Sequence, residues 1–333
     1  MEQSKTGNPI LDGVIWKQIL FFFIPVALGT FFQQMYNTVD ALVVGNAVGM
    51  DALSAVGGAT GSLINLIIGF FVGVASGATV AVAQCYGAGK REEISRVVHT
   101  TAAMSLAAGA MLTVVGILLS PAALRFLNQP EELMADSVLY LRVYFAGMLP
   151  TLIYNVGASI LRAVGDSRRP MIYLIVCCAV NTVLDLLFVA VLKLGVLGAA
   201  LATVLAQVVS ALLVLLRLLR TDDVYRLDLR RIRFHRKENA MILRVGIPAG
   251  LQSLMYNVSG TFNQAKFNTF GTDVVAAWTV LGKVDGLSWL IIGAFGISVT
   301  TFVGQNYGAG RLDRVKRSIY VSAGMTFIFT ILF

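Results

Sequence analysis

The chain has 333 residues, of which 57% are hydrophobic and only 13% are charged, and its formal net charge is +8. A soluble domain has roughly a quarter charged residues, so this composition excludes an ordinary water-soluble protein. It indicates a protein whose outer surface faces lipid.

Hydrophobic segments long enough to cross a bilayer recur along the whole chain. A helix needs about 20 apolar residues to span a hydrocarbon core of ~30 Å. We predict nine such helices, over residues 15–45, 54–84, 97–120, 135–157, 171–192, 196–216, 241–267, 274–304 and 317–333.

Basic residues are concentrated in alternate loops. The segments after the second, fourth, sixth and eighth spans are basic, and residues 217–244 alone carry nine Lys and Arg. By the positive-inside rule, these loops and the N-terminus, with Lys5 and Lys17, face the cytoplasm of a bacterial inner membrane. The charge therefore indicates orientation, and we expect no nucleic-acid partner. His99 and His235 fall in the cytoplasmic flanks, where we expect no metal or proton site.

Two segments about 220 residues apart resemble each other. Gln84-x-Tyr86-Gly87-Ala88-Gly89 recurs as Gln305-x-Tyr307-Gly308-Ala309-Gly310. Both copies lie on the cytoplasmic side, so the repeat is parallel and each unit has six spans. We expect the glycines to end a membrane helix and turn the chain along the membrane surface.

The repeat predicts an all-α polytopic membrane protein with two pseudo-symmetric six-helix lobes. Residues 1–220 would form the N-terminal lobe, 221–240 a cytoplasmic linker, and 241–333 the first three helices of a second, truncated lobe. Two such lobes suit alternating access, with substrate held between them.

The first span carries several polar residues after Pro25, a residue that permits a kink. Gln33, Asn37 and Asp40 have a spacing that places them on one helical face, which Tyr36 borders. An ionisable group inside a span is costly and suggests a functional site. The alternative is that the amides only hold helices together.

The fifth and sixth spans carry a second polar set. Asn181 and Asp185 are one turn apart, as are Thr203 and Gln207. Their oxygen atoms suit a hard cation such as Na⁺, and the same carboxylates could hold a proton instead. A purely structural hydrogen-bond cluster is the alternative. In the eighth span, Lys283 and Asp285 could form inter-helix ion pairs, for which Lys266 is one partner, or take part in substrate or proton handling.

Four motifs together resemble the multidrug and toxic compound extrusion (MATE) family of the multidrug/oligosaccharidyl-lipid/polysaccharide (MOP) superfamily. They are I-P-x(10)-Y-N-x-x-D at 24–40, Q-x-Y-G-A-G-[KR] at 84–90 and 305–311, L-R-A-x-G-D at 161–166 and N-x-x-x-D at 181–185. The stretch 252–257 lacks the carboxylate of other branches, which favours the DinF-like bacterial branch.

The resemblance implies two six-helix lobes and antiport of Na⁺ or H⁺ against organic, often cationic compounds. It implies a cation or proton site at Asp40, Asn181, Asp185, Thr203 and Tyr36, of which the first four would hold Na⁺. The remaining candidates for the substrate cavity or for gating are Gln33, Asn37, Pro25, Gln207, Asn257, Lys283 and Asp285.

Other classes predict other features. A lipid-linked oligosaccharide flippase of the same superfamily would line its cavity with several cations, but only Lys266 and Lys283 lie deep in the spans. A non-transporting membrane scaffold would not need a cation site. We expect no enzyme, because no cluster of nucleophile, base or metal ligands is present. We also expect a monomer that contacts membrane lipid and small organic substrates, with no cofactor beyond the coupling ion.

Overall fold

A computed structural model of the chain describes residues 8–267, 270 and 272–332. All regular elements in this part are helical. The α-helices are α1 (Pro9–Asp12), α2 (Ile15–Ala47), α3 (Met50–Gly57), α4 (Ala59–Gly87), α5 (Arg91–Phe126), α6 (Glu131–Ala146), α7 (Met148–Ala163), α8 (Arg168–Asp185), α9 (Gly195–Arg220), α10 (Arg236–Phe267), α11 (Thr272–Gly308) and α12 (Leu312–Leu332). A π-helical segment, Leu186–Val191, continues α8, and a 3₁₀ turn, Leu229–Arg231, lies before α10.

Six of the described helical segments are long and apolar enough to cross a membrane, and the bent pair α6–α7 makes a seventh. Helices α10 and α12 occupy the predicted seventh and ninth spans, but they fall outside this group, and both carry many polar residues. Most of the described helices are thus apolar and of membrane-crossing length, as the composition predicts. Lys5 lies outside the described residues.

Three boundaries differ from the prediction. The predicted fourth span is two helices bent by 48° at Gly147, where a Cβ atom would lie 2.6 Å from Val204 Cγ2. The short helix α3 precedes the second span as a separate element. Helix α10 begins at Arg236, inside the predicted linker 221–240 and before the predicted start of the seventh span at residue 241. The division into lobes stays a prediction.

The repeated glycines end helices as predicted. Gly89 and Gly310 follow α4 and α11 with φ of 68° and 72°, in the left-handed region that glycine adopts without strain. The following amides, of Lys90 and Arg311, donate back to the carbonyls of Cys85 and Asn306 at 3.1 and 2.9 Å. Each helix therefore ends in the same glycine cap.

Glycines also bring α4 and α10 into backbone contact. Gly69, Gly73 and Gly77 form a stripe with four-residue spacing, opposite Gly246 and Gly250. A Cβ atom on Gly73 would lie 2.5 Å from the Cα of Gly250. Small residues at this spacing let membrane helices approach closely. The first helix of the second half thereby packs along the first half of the chain.

Candidate cation site

The site lies inside the first half of the chain, where α2 packs against α8 and α8 packs against α9. Asp40 on α2 is 8% exposed, and Asp185, the last residue of α8, is fully buried. Their carboxyl groups are close enough to influence each other electrostatically. At Asp185 the α-helix passes into the π-helical segment, a local irregularity that often marks functional sites.

Most polar side-chain atoms of the four predicted ligands have no hydrogen-bond partner in the described part of the chain. Six of their side-chain atoms are buried with no hydrogen-bond partner among the described residues: Asp40 Oδ1, Asn181 Oδ1 and Nδ2, Asp185 Oδ1 and Oδ2, and Thr203 Oγ1. Further unpaired atoms in the described part, on Thr60, Arg217 and Thr301, are on other helices or at the end of α9. The unpaired groups are therefore concentrated at the predicted site.

An unpaired buried polar group costs about 1–3 kcal/mol, so native proteins keep few of them. A purely structural cluster would satisfy its groups internally, and this cluster does not. Its carboxylate, amide and hydroxyl oxygens are the hard ligands that suit a cation such as Na⁺. The adjacent carboxylates equally suit a proton, since either species would relieve the repulsion between them.

Three tyrosines surround the carboxylates. Tyr36 lies one turn before Asp40, is buried, and interacts with Gln207 on α9. Tyr140 and Tyr144 on α6 are buried within electrostatic range of Asp40, with ring centroids 6.1 Å apart. The sequence analysis identified Tyr36 and Gln207 but missed the α6 pair. The available signal was two tyrosines one turn apart within a predicted span.

The predicted polar face of the first span lies at the edge of the buried surface of α2. Tyr36 and Asp40 share the buried face of α2, whereas Asn37 is exposed and Gln33 is half-buried. Asn37 therefore does not lie with Asp40 on the buried face, because the packing of α2 against α8 buries the 36/40 face instead. Pro25 is buried within the unbroken helix α2. Next to it, Phe23 stacks on Phe295 of α11 with centroids 4.0 Å apart.

The remaining candidates lie in the second half. Asn257 donates to the Ser253 carbonyl at 2.8 Å and sits against α4 at Gly69. Asp285 is exposed and accepts a hydrogen bond from the Trp289 indole at 3.0 Å. The Lys283 side chain lies outside the described residues, so its predicted role stays untested.

The two copies of the repeated motif meet across the molecule. A Cβ atom on Gly87 would clash with the Gln305 carbonyl oxygen, and one on Gly308 would clash with the Gln84 carbonyl oxygen. The Gln305 side chain also donates to the Ala163 carbonyl at 2.7 Å and accepts from Asn8 at 2.9 Å. This reciprocal contact joins the two halves at the end of the molecule that carries the basic loops.

Comparison with known proteins agrees with the fold and the motifs. The family described as MatE matches residues 25–187 and 248–333. The chain is 29% identical over 321 residues to the probable multidrug resistance protein YoeA of Bacillus subtilis (strain 168), covering 94% of this chain and 69% of that protein. It is 30% identical over 308 residues to the probable multidrug resistance protein YpnP of the same strain, covering 91% of this chain and 68% of that protein.

Solved structures agree as well. The chain matches a multidrug resistance MATE family transporter of the MOP superfamily in an outward-facing conformation, with a TM-score of 0.90 and 28% identity over 98% of this chain and 72% of that one. It matches a MOP superfamily transporter from Pyrococcus furiosus Vc1 (DSM3638) with the same TM-score, identity and coverage. The chain is a multi-pass membrane protein and belongs to the MATE family.

Proposed function

We propose that the chain is a secondary active multidrug efflux transporter, which exchanges Na⁺ or H⁺ for organic, often cationic compounds by alternating access. The observation that carries this proposal is the cluster of buried, unpaired polar atoms on Asp40, Asn181, Asp185 and Thr203. The names of the Bacillus relatives support multidrug export. The basic loops support a cytoplasmic N-terminus in a bacterial inner membrane.

The coupling step follows from charge. Two adjacent carboxylates in an apolar environment repel each other, and a bound cation or proton removes that repulsion. Asp40 lies on the same helix as Pro25, where α2 packs against α11. Binding or release of the cation or proton at Asp40 can therefore shift α2 relative to the second half of the chain and release the substrate outward. The proposed mechanism uses no cofactor other than the coupling ion.

Transport in membrane vesicles tests the assignment. We expect Asp40→Asn to abolish efflux of a cationic dye, driven separately by a Na⁺ gradient and by a pH gradient, because the amide can neither neutralise a cation nor release a proton. Asp51→Asn is the matched control, since Asp51 is exposed at the start of α3. Normal efflux by a well-expressed Asp40→Asn variant would contradict the assignment of Asp40 to the coupling site.

A lipid-linked oligosaccharide flippase is the alternative within the superfamily. The Pyrococcus transporter is described as having a binding pocket of reverse polarity that suggests a different function. Inhibition of dye efflux by the oligosaccharide lipid, without inhibition by other cationic dyes, would favour this alternative.

A further inference from the structure

A strongly basic cavity lies between the start of α5 and the inter-lobe linker, on the side of the basic loops. Its volume is about 590 Å³. Its charged or titratable side chains are Arg91, Glu92, Arg96, His99, Arg230, Arg231, Arg233 and His235.

Two of the five arginines that line this cavity pair with carboxylates, and Glu92 also lies 3.8 Å from Arg96. Arg96 pairs with Glu238 at 2.8 Å, and Arg231 pairs with Asp228 at 3.3 Å. Burial alone would raise the pKa of Glu238, but the hydrogen bond from Arg96, a backbone hydrogen bond and the charge of Arg96 together hold that pKa below its usual value, so this pair stays ionised. Within the described residues, no carboxylate forms an ion pair with Arg91, Arg230 or Arg233.

The linker is held in place, which distinguishes this cavity from a solvated run of charges. The backbone amide of Asp228 donates to Nε2 of the buried His99 at 3.0 Å. The backbone amide of His235 donates to Thr100 Oγ1 at 3.2 Å, and the two side chains meet at 3.0 Å. The backbone of the linker that carries these arginines is therefore held against α5.

An apolar groove of about 490 Å³ begins next to the basic cavity. Phe234 lines the groove, while its neighbours Arg233 and His235 line the basic cavity. Along α5, the groove extends from Thr101 to Met111, a distance of about 15 Å at 1.5 Å per residue. The two cavities thus share the linker and α5, with the charged end toward the cytoplasm and the apolar end toward the hydrocarbon core.

The geometry points to a binding site for an anionic phospholipid of the cytoplasmic leaflet, with its phosphate in the basic cavity and an acyl chain in the groove. Arginine binds phosphate oxygens through paired N–H groups. Basic pockets between membrane helices on the cytoplasmic side suit anionic head groups. A zwitterionic lipid would leave the surplus charge unmatched, and a free phosphate ion would not use the groove. A bound lipid would hold the linker against α5.

Native mass spectrometry of the purified chain tests the head-group part. After exposure to vesicles with equal amounts of phosphatidylglycerol and phosphatidylcholine, we expect selective retention of phosphatidylglycerol. Arg230→Gln combined with Arg233→Gln should weaken its binding by about tenfold or more, because two phosphate contacts are lost. Lys316→Gln combined with Arg317→Gln is the matched control. Both residues are exposed at the start of α12, and the two substitutions remove the same charge as the arginine pair.

A second pair of variants tests the groove. Ala107→Phe fills the groove and should lower phosphatidylglycerol retention, whereas Ala110→Phe, exposed on the same helix and outside the groove, should not. Equal loss in both arginine and control variants would show a general surface-charge effect and overturn the site. If Ala107→Phe leaves phosphatidylglycerol retention unchanged, and inorganic phosphate displaces phosphatidylglycerol equally from this variant and from the unmodified chain, the cavity is a free-phosphate site. Absence of bound phosphatidylglycerol in the unmodified chain would also overturn the proposal.

Discussion

Asp185 combines full burial with carboxyl oxygens that have no hydrogen-bond partner in the described part of the chain. Its carboxyl lies beside that of Asp40. Unpaired buried charge of this kind destabilises a fold, and proteins retain it mainly where it has a function. On the proposed function, the cluster exchanges stability of the empty protein for affinity toward a cation or proton.

That exchange gives a stability prediction. In Na⁺-free buffer at alkaline pH, where both carboxyl groups are ionised, Asp185→Asn should stabilise the purified chain by about 1–3 kcal/mol, because it removes the repulsion between the carboxylates. It should also abolish the rise in melting temperature that added Na⁺ or lowered pH gives the unmodified chain. Thermal unfolding followed by intrinsic fluorescence measures both effects. Asp51→Asn serves as the control, and a lower melting temperature for Asp185→Asn would contradict the interpretation.

At the scale of elements, glycines determine how the helices approach one another. Gly73 and Gly77 bring α4 into backbone contact with α10, and Gly69 lies against side chains of α10. Lys193, two residues after the π-helical segment, is a non-glycine residue with positive φ. The spacing of the stripe is visible in the sequence as a G-x-x-x-G pattern, but the pattern does not identify the partner helix. Only the packed structure shows that the partner is α10.

The α4–α10 contact should not tolerate an added methyl group. Gly73→Ala should destabilise the chain by about 1–3 kcal/mol, because the new Cβ would meet backbone atoms of α10 that cannot move aside. Gly260→Ala on α10 is the control, since a Cβ there meets nothing within 4 Å. Thermal unfolding of both variants checks the prediction, and equal stability of the two would show that the helices can separate at no cost.

At the scale of the molecule, the two copies of the repeated motif form a reciprocal contact between the halves. Gly87 lies against Gln305, and Gly308 lies against Gln84. Because the copies are pseudo-symmetric, each helix end provides both a glycine and the carbonyl that the other glycine touches. On the proposed alternating-access mechanism, this contact would open when the substrate site turns toward the side of the basic loops.

A substitution at this contact should favour the open form. Gly308→Ala would force α4 and α11 apart, since its Cβ would clash with the Gln84 carbonyl. We expect faster hydrogen–deuterium exchange over residues 84–90 and 305–311, measured by mass spectrometry. Gly296→Ala, on the same helix with open space around it, should leave exchange unchanged. Unchanged exchange in Gly308→Ala would mean that the contact adapts without opening.

Much of this protein follows from its sequence alone. Apolar runs of membrane-crossing length predict the helices, since each span can satisfy its backbone hydrogen bonds only within itself. The repeated motif and the four family motifs predict the MATE fold, which the comparisons confirm. The spacing of Asn181 and Asp185 predicts a shared face because it is local to one helix. The cation-site assignment and the lobe boundaries stay predictions.

The tertiary structure determines which helix faces are buried and which helices meet, and local periodicity does not. The face of α2 that is buried carries Tyr36 and Asp40 rather than Asn37, because α8 packs on that side. The α6 tyrosines reach Asp40 only through the packing of separate helices. The lack of partners for the buried carboxylates is likewise a property of the packed helices. Sequence spacing determines positions within one helix, whereas contacts between helices depend on their rotation and separation, which only the folded chain determines.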